Sequence, residues 1–397
     1  MSNGTDVVVL GAARTAIGGF GGSLKDIPPT ELGAIAIREA VSRAGLEGGD
    51  IGHVVMGNVI HTEPKDMYLS RVAAMNAGIP METPALTLNR LCGSGLQAIV
   101  TAAQHIMLGD CETAVGGGAE SMSRSPMSMP AARWGQKMGD TQIIDVMVGA
   151  LSDPFGNGHM GITAENLAER YQITREAQDA FALESHKRAS KAISGGYFKE
   201  QIVPVEVKVK RDTVAFDTDE HVRMEATIGD MSKLRAVFKK DGTVTAGNAS
   251  GINDAGSAVV LMGAEAADKR GLKAMARIVA YGHAGVAPEI MGIGPVNASR
   301  NALAKAGLSI EDIDVIESNE AFAAQACAVA KDLGFDASKT NPNGGAIALG
   351  HPIGASGSII FTKLLYELKR TGGKYGLATM CIGGGQGIAV IVENLGD

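Results

Sequence analysis

The chain repeats itself. Ala44-Gly45-Leu46, Asp50-Ile51 and Val54 recur 262 residues later as Ala306-Gly307-Leu308, Asp312-Ile313 and Ile316, each copy behind a basic residue, Arg43 or Lys305. At the same offset Ser94-Gly95 matches Ser356-Gly357, and each pair opens a long apolar segment, 96–108 and 359–368. With a drift of five residues, Gly116-Gly117-Gly118 matches Gly383-Gly384-Gly385. A repeat on this scale restricts the chain to two similar halves. In both, short apolar runs alternate with helix-periodic segments, which predicts an α/β fold with a largely parallel sheet.

Taken in order, Asp6 to Leu10 predicts a buried strand ending at Gly11. The run Gly19-Phe20-Gly21-Gly22-Ser23-Leu24 has Leu where a dinucleotide fingerprint needs its third glycine, so no such site is expected there. Thr30 suits the N-cap of a helix whose apolar positions are Leu32, Ile35, Ala36, Ala40 and Val41. From Met122 to about Ser250 the texture changes: a stretch rich in Ser, Met and Pro, then polar helices over 163–191, then alternation over Val203 to Val209 that predicts an exposed strand. We read this as an insertion in the first half, to which a strand over Ala258 to Met262 returns. The expected division is 1–121 with 251–271, an inserted loop domain 122–250, and a second half 272–397.

Composition narrows the function classes. A net charge of −7 argues against binding to nucleic acid or to an anionic membrane surface. No apolar run approaches the roughly 18 residues of a membrane span, and the start lacks the pattern of a signal peptide. Cys92, Cys111, Cys327 and Cys381 are scattered without Cys-x-x-Cys or zinc-ligand spacing, so neither disulfides nor a metal are expected. A reducing cytoplasm is the expected compartment.

The chemistry concentrates where glycines frame reactive side chains: Cys92 in Leu91-Cys92-Gly93-Ser94-Gly95, His351 in Gly350-His351-Pro352, and Cys381 in Cys381-Ile382-Gly383-Gly384-Gly385. Cys92 stands where a helix is predicted to begin, and a helix N-terminus or a nearby histidine lowers a thiol pKa from about 8.5. The following glycines let backbone N–H groups turn toward a developing oxyanion. Cys381 ends an apolar strand, and Asn319 follows the strand around Val315-Ile316; carboxyl ends of parallel strands are where α/β sheets hold ligands. His159-Met160-Gly161 and Ala246-Gly247-Asn248-Ala249-Ser250-Gly251 are small, loop-like segments suited to an extended ligand. Cys111 and Cys327 lack such framing and read as buried thiols. No Gly-x-Ser-x-Gly elbow is present to anchor a serine hydrolase.

From Val7 to Val392 the chain resembles the thiolases, the acetyl-CoA C-acyltransferases, in the order and content of Cys92-Gly93-Ser94-Gly95, Asn319-Glu320-Ala321-Phe322, Gly350-His351-Pro352 and Cys381-Ile382-Gly383-Gly384-Gly385. Residues 57–68 and Ala131-Ala132-Arg133-Trp134-Gly135 look closest to the broad-range β-ketothiolases of polyhydroxyalkanoate synthesis. The resemblance implies a layered αβαβα core and a ping-pong reaction of acyl-CoA and CoA, these thioesters being substrates with no cofactor. Cys92 would take the acyl group while His351 takes its proton. Cys381 would abstract the α-proton of a second acyl-CoA. His351 and a water on Asn319 would hold the enolate oxygen, and the N–H groups of Cys92 and Gly383 the tetrahedral oxyanion. By the same resemblance His159, Met160 and Ser250 line the pantetheine arm with Phe322 nearby, Arg223 faces the adenine nucleotide, and the assembly is a homotetramer. Ser318 and Asn297 depart from the family's usual Ala and Pro without touching this chemistry.

Three other readings share parts of the set. A decarboxylating ketosynthase on the same fold uses one Cys and two His and has no place for Cys381. A Cys-His-Asn amidase needs neither Cys381 nor the repeat. A non-catalytic lipid-binding relative is expected to have lost part of the set. The repeat puts Cys92 in one half and His351 with Cys381 in the other, so the site is expected between them.

Overall fold

Strand formation begins at Val7 and does not stop at Gly11: β1 runs Val7–Thr15, buried throughout. In the computed structural model, which describes residues 6–396, it is joined by β2 (His53–Gly57), β3 (Ala85–Leu88), β4 (Thr113–Ser121), β5 (Asn253–Gly263), β6 (Ala276–Gly285), β7 (Val315–Ser318), β8 (Tyr375–Ile382) and β9 (Gln386–Asn394). Their order across the sheet is β7-β8-β9-β6-β1-β5-β4-β2-β3. The arrangement is a repeat about its centre: β1, β2, β4 and β5 recur as β6, β7, β8 and β9. The two copies meet where Val8 and Val9 pair with Arg277 and Ala276.

The sheet is mixed rather than largely parallel. β2 lies parallel to β3 and β4, and β7 to β8, because helices carry the chain across between them. The central strands β1, β5, β6 and β9 pair antiparallel, as do β4 with β5 and β8 with β9. A turn of three glycines cannot make a crossover, so β9 must fold back beside β8. Register sharpens the repeat. Val54 pairs with Val115 and Ile316 with Leu377, so the 262-residue offset is constant through these strands. The two triple-glycine runs are therefore not equivalent. Gly116 and Gly118 lie inside β4, where any side chain would strike the backbone at Ile99 or Gly354, whereas Gly383 to Gly385 form the β8–β9 turn.

Helix α1 (Pro29–Arg43) and α2 (Leu69–Asn76) cover the outer face of the leaf formed by the first copy's strands, the second copy's strands forming the other leaf, and join one apolar cluster with β1, β2, β4 and β5. Thr30 is not the N-cap of α1. Pro28 holds that place and Pro29 starts the helix, its fixed φ suiting the first turn. Between the leaves run α3 (Ser94–Met107) and α8 (Ile353–Thr371), whose apolar faces share a single core with strands from both halves. Further helices α4 (Met160–Tyr171), α5 (Arg175–Ser194), α6 (Gly294–Ala306) and α7 (Ala323–Leu333) complete the outer cover, giving αβαβα layering.

The repeated Ser-Gly pairs explain themselves here. A Cβ on Gly95 would come within 2.7 Å of the Ser358 nitrogen, and one on Gly357 within 2.3 Å of the Leu96 nitrogen. The two equivalent helices touch backbone to backbone at these positions. Their first turns, which carry the reactive loops, are thereby brought side by side.

Residues of the insertion are clamped to β1 by a buried ion pair. Arg14 donates to both carboxylate oxygens of Asp219 at 2.8 and 2.9 Å and to Gln201 at 2.7 Å, and its guanidinium lies 5.1 Å from the Phe198 ring centre. Neither charged side chain reaches solvent. Asp219→Ala strands a buried cation, so a loss of about 3 to 5 kcal/mol is expected, read as a lower urea midpoint at unchanged m value.

Candidate active site

The turn before α3 is built around strain. Leu91 has φ +47°, a conformation uncommon for a bulky residue, and is held there by two side chains. Asn89 accepts the Leu91 N–H at 2.8 Å, while Ser94 accepts the Arg90 N–H at 2.8 Å and donates to the Leu91 carbonyl at 2.7 Å. Cys92 follows at once, so its thiol is set before the first helical turn. Packing between Gly93 and Ile382 joins this turn to the end of β8, where Cys381 stands.

His351 comes from the other half. Gly350 has φ +112°, and a Cβ on it would lie 2.5 Å from the Asn253 side chain, whose Oδ1 accepts the His351 N–H at 2.8 Å. Only glycine fits both conditions. The imidazole Nδ1 lies 2.6 Å from Ser356 Oγ, and that hydroxyl already gives its proton to the Pro352 carbonyl at 2.9 Å. With the Ser356 hydroxyl donating to Pro352, Nδ1 is assigned as the protonated nitrogen. Nε2 is left as a lone pair, buried and without a partner among the described residues. Burial also lowers the His351 pKa to about 4, so at neutral pH the ring is an uncharged acceptor.

One pocket of about 270 Å³ collects Cys92, His351, Cys381, Gly383, His159, Met160, Ser250 and Phe322. Its remaining walls are mostly apolar, among them Met122, Leu151, Ile252 and Met291. Side chains from both halves meet there, as the repeat implies. His159 accepts the Gly161 N–H at the start of α4 and stacks on Phe238 at 4.6 Å, and Phe238 meets Phe322 edge on at 6.2 Å. The segment 246–251 is pinned beside them, with Ser250 N–H donating to the Ala321 carbonyl and Ala323 N–H to that of Asn248.

Two expected residues stand outside this lining. Asn319 is buried behind β7, its N–H on the Thr379 carbonyl at 3.0 Å, and it lines a separate small cavity with Gly350 and Ser356. Arg223 is exposed in a cleft shared with Ala246 and Gly247, whose loop continues to Ser250 in the main pocket. Cys111 and Cys327 are partly buried and lie elsewhere. Among the described residues no group of three or more His, Cys, Asp or Glu is placed to hold a metal, and no helix is long and apolar enough to cross a membrane.

Electrostatics correct one expectation. Cys92 is not a low-pKa thiol: burial pushes it up to about 11, with the Coulombic influence of Glu120 adding to this, while the N–H groups of Gly383 and of Cys92 itself pull the other way. Cys381 is raised still further, by burial first and by Cys92 second. Desolvation outweighs the helix terminus because the pocket is apolar. Several residues that build the site carried no sequence signal as such: Asn89, Asn253, Phe238 and Glu120. Glu120, fully buried, accepts N–H groups from Asn58, Val59, Ile60 and Gly354, tying the loop after β2 to the start of α8.

Two matching halves thus close on one pocket that holds two thiols and an uncharged imidazole. Residues 7–265 match the family description "Thiolase, N-terminal domain" and residues 272–394 match "Thiolase, C-terminal domain". The chain belongs to the thiolase family. It is 64% identical to the beta-ketothiolase BktB of Cupriavidus necator over 98% of this chain and 99% of that protein. With the acetyl-CoA acetyltransferase of Syntrophomonas wolfei it shares 53% identity, over 98% and 99% of the two chains. The human mitochondrial 3-ketoacyl-CoA thiolase superposes with a TM-score of 0.97 at 47% identity, covering 98% of this chain and 99% of that one.

Proposed function

We propose that this protein interconverts two acyl-CoA molecules with 3-ketoacyl-CoA and CoA through an acyl-Cys92 intermediate. The observation that carries the reading is the pocket in which Cys92, from one half, meets His351 and Cys381, from the other. In the first half-reaction the Cys92 sulfur attacks the thioester carbonyl as its proton passes to His351 Nε2. Because both groups are neutral at rest, proton transfer accompanies attack rather than preceding it. The N–H groups of Cys92 and Gly383 hold the oxyanion, an arrangement worth about 3 to 4 kcal/mol per donor. CoA leaves as the thiol by taking the proton of Cys381, while His351 keeps the Cys92 proton on Nε2. In the second, the Cys381 thiolate so formed takes the α-proton of another acyl-CoA, His351 Nε2–H and a water on Asn319 hold the enolate oxygen, the carbanion attacks acyl-Cys92, and the departing Cys92 sulfur recovers its proton from His351. Thiolysis is the reverse.

CoA thioesters are substrates in this scheme and no cofactor or metal is needed. His159, Met160, Ser250 and Phe322 receive the pantetheine arm, and Arg223, one loop away, the nucleotide; a CoA complex is known for the human relative. In this reading the protein works in the cytoplasm and supplies 3-ketoacyl-CoA for polyhydroxyalkanoate synthesis, a role supported by the resemblance of residues 57–68 and 131–135 to the broad-range β-ketothiolases. A homotetramer accounts for apolar surface at Met81 in the turn before β3, at Leu86 on that edge strand, and at Trp134 and Met138 of the insertion, the last two 85% and 91% exposed. Initial rates of thiolysis at varied 3-ketoacyl-CoA and CoA are expected to give parallel double-reciprocal lines. Intersecting lines would mean that both substrates bind before any product leaves, and would sink the covalent scheme.

A further inference from the structure

Apart from the reaction pocket, between α8 and the end of β7, lies a cavity of about 10 Å³ whose polar side chains are those of Glu317, Ser318, Asn319, Ser356 and Lys363. A space of that size takes one water if two to four polar groups face it. The groups here are uncommitted to an unusual degree. Lys363 Nζ donates to Glu317 Oε2 and to the Gly344 carbonyl, each at 2.7 Å, which leaves one of its three N–H groups free. Glu317 Oε1 and both amide atoms of Asn319 are buried without a hydrogen-bond partner among the described residues. Glu317 and Lys363 are 1% and 3% exposed, so solvent does not satisfy them. The other buried carboxylates nearby are already engaged: Glu320 by Ser185 and Asn341, Glu367 by Asn343 and Arg370.

We propose that this cavity holds one structural water through which the Glu317–Lys363 ion pair fixes the direction of the Asn319 amide. The water accepts the free Lys363 N–H and donates to Glu317 Oε1 and Asn319 Oδ1. With Oδ1 engaged on that side, Nδ2 is the end left to serve the enolate. Glu317 and Lys363 are thus positioning residues for α-proton removal, a role that rests on the reading of Asn319 given above.

A crystal structure of the wild-type protein at high resolution is expected to show an ordered water within hydrogen-bond reach of Glu317, Asn319 and Lys363; a cavity without it overturns the inference. Kinetically, Glu317→Gln is expected to slow solvent exchange of the acyl-CoA α-proton and condensation at least tenfold. Acetylation of Cys92 and KM for acyl-CoA should stay within twofold. If Glu317→Gln does not fold, the double variant Glu317→Gln/Lys363→Gln, which leaves no unpaired buried charge, takes the same measurements. An equal loss in both half-reactions, or none in exchange, overturns the positioning role. Asn319→Ala run alongside separates the failures. If it slows exchange and the Glu317 variants do not, this inference alone falls; if it too leaves exchange unchanged, the assignment of Asn319 falls with it.

Discussion

Cys92→Ala is expected to abolish both thiolysis and condensation, with kcat/KM reduced on the order of 10⁴ to 10⁶, while the fold is retained. The size follows from the nature of the step. Removing a nucleophile that acts as a unit with its base forfeits the whole covalent route, which corresponds to about 5 to 8 kcal/mol of barrier. Retention of the fold follows from position: Cys92 is only partly buried and precedes α3, and the strained turn is held by Asn89 and Ser94 rather than by the thiol. Far-UV circular dichroism and the urea midpoint report the fold, and thiolysis of 3-ketoacyl-CoA at saturating CoA reports the loss. A residual rate within tenfold of wild type would remove Cys92 as the acyl carrier.

Cys381→Ala is expected to divide the reaction. The variant still acquires an acyl group, because CoA is a good leaving group and the oxyanion donors at Cys92 and Gly383 remain. It no longer condenses or exchanges the α-protons of acyl-CoA, losing about 10² to 10⁴ in those steps, the usual contribution of a positioned general base. The high resting pKa of Cys381 suits the role: burial makes its thiolate a strong base once formed, and acylation of Cys92 removes the neighbouring thiol that could carry a competing charge. Exchange is followed by mass spectrometry of acetyl-CoA in deuterated water, and acylation by intact mass of the protein. A variant that condenses at the wild-type rate would leave the second cysteine without a task.

Much of this was legible in the sequence because the repeat is carried by residues whose backbone role admits no substitute. Ser94-Gly95 and Ser356-Gly357 recur where two helices touch backbone to backbone, and their apolar continuations are the inner helices themselves. Cys92, His351 and Cys381 were visible through their glycine frames. Where composition imitates structure, the reading failed. Gly116 to Gly118 look like the glycine turn after Cys381 but serve close packing inside β4, and alternation of strand and helix predicted parallel pairing that β1, β5, β6 and β9 do not follow. Thr30 had the side chain of a cap, yet Pro28 and Pro29 set the helix start.

What could not be read is tertiary in origin. Ser356 was visible as part of the repeat, but nothing local says that its hydroxyl lies between the Pro352 carbonyl and the His351 ring. The stack of His159 on Phe238 joins positions far apart in the chain. The Cys92 pKa depends on how much apolar wall surrounds the thiol, and no local motif counts that wall. Placement of Asn319 in its own cavity depends likewise on how α8 packs on β7.

In the proposed reaction the acyl group passes through one thiol of the four, that of Cys92. Brief incubation with acetyl-CoA, an acid quench and peptide mass spectrometry read this out. A 42 Da adduct (about the mass of an acetyl group less one hydrogen) is expected on the peptide that contains Cys92, in the wild type and in Cys381→Ala alike. Label confined to Cys111, Cys327 or Cys381, or no label at all under conditions of turnover, would contradict it.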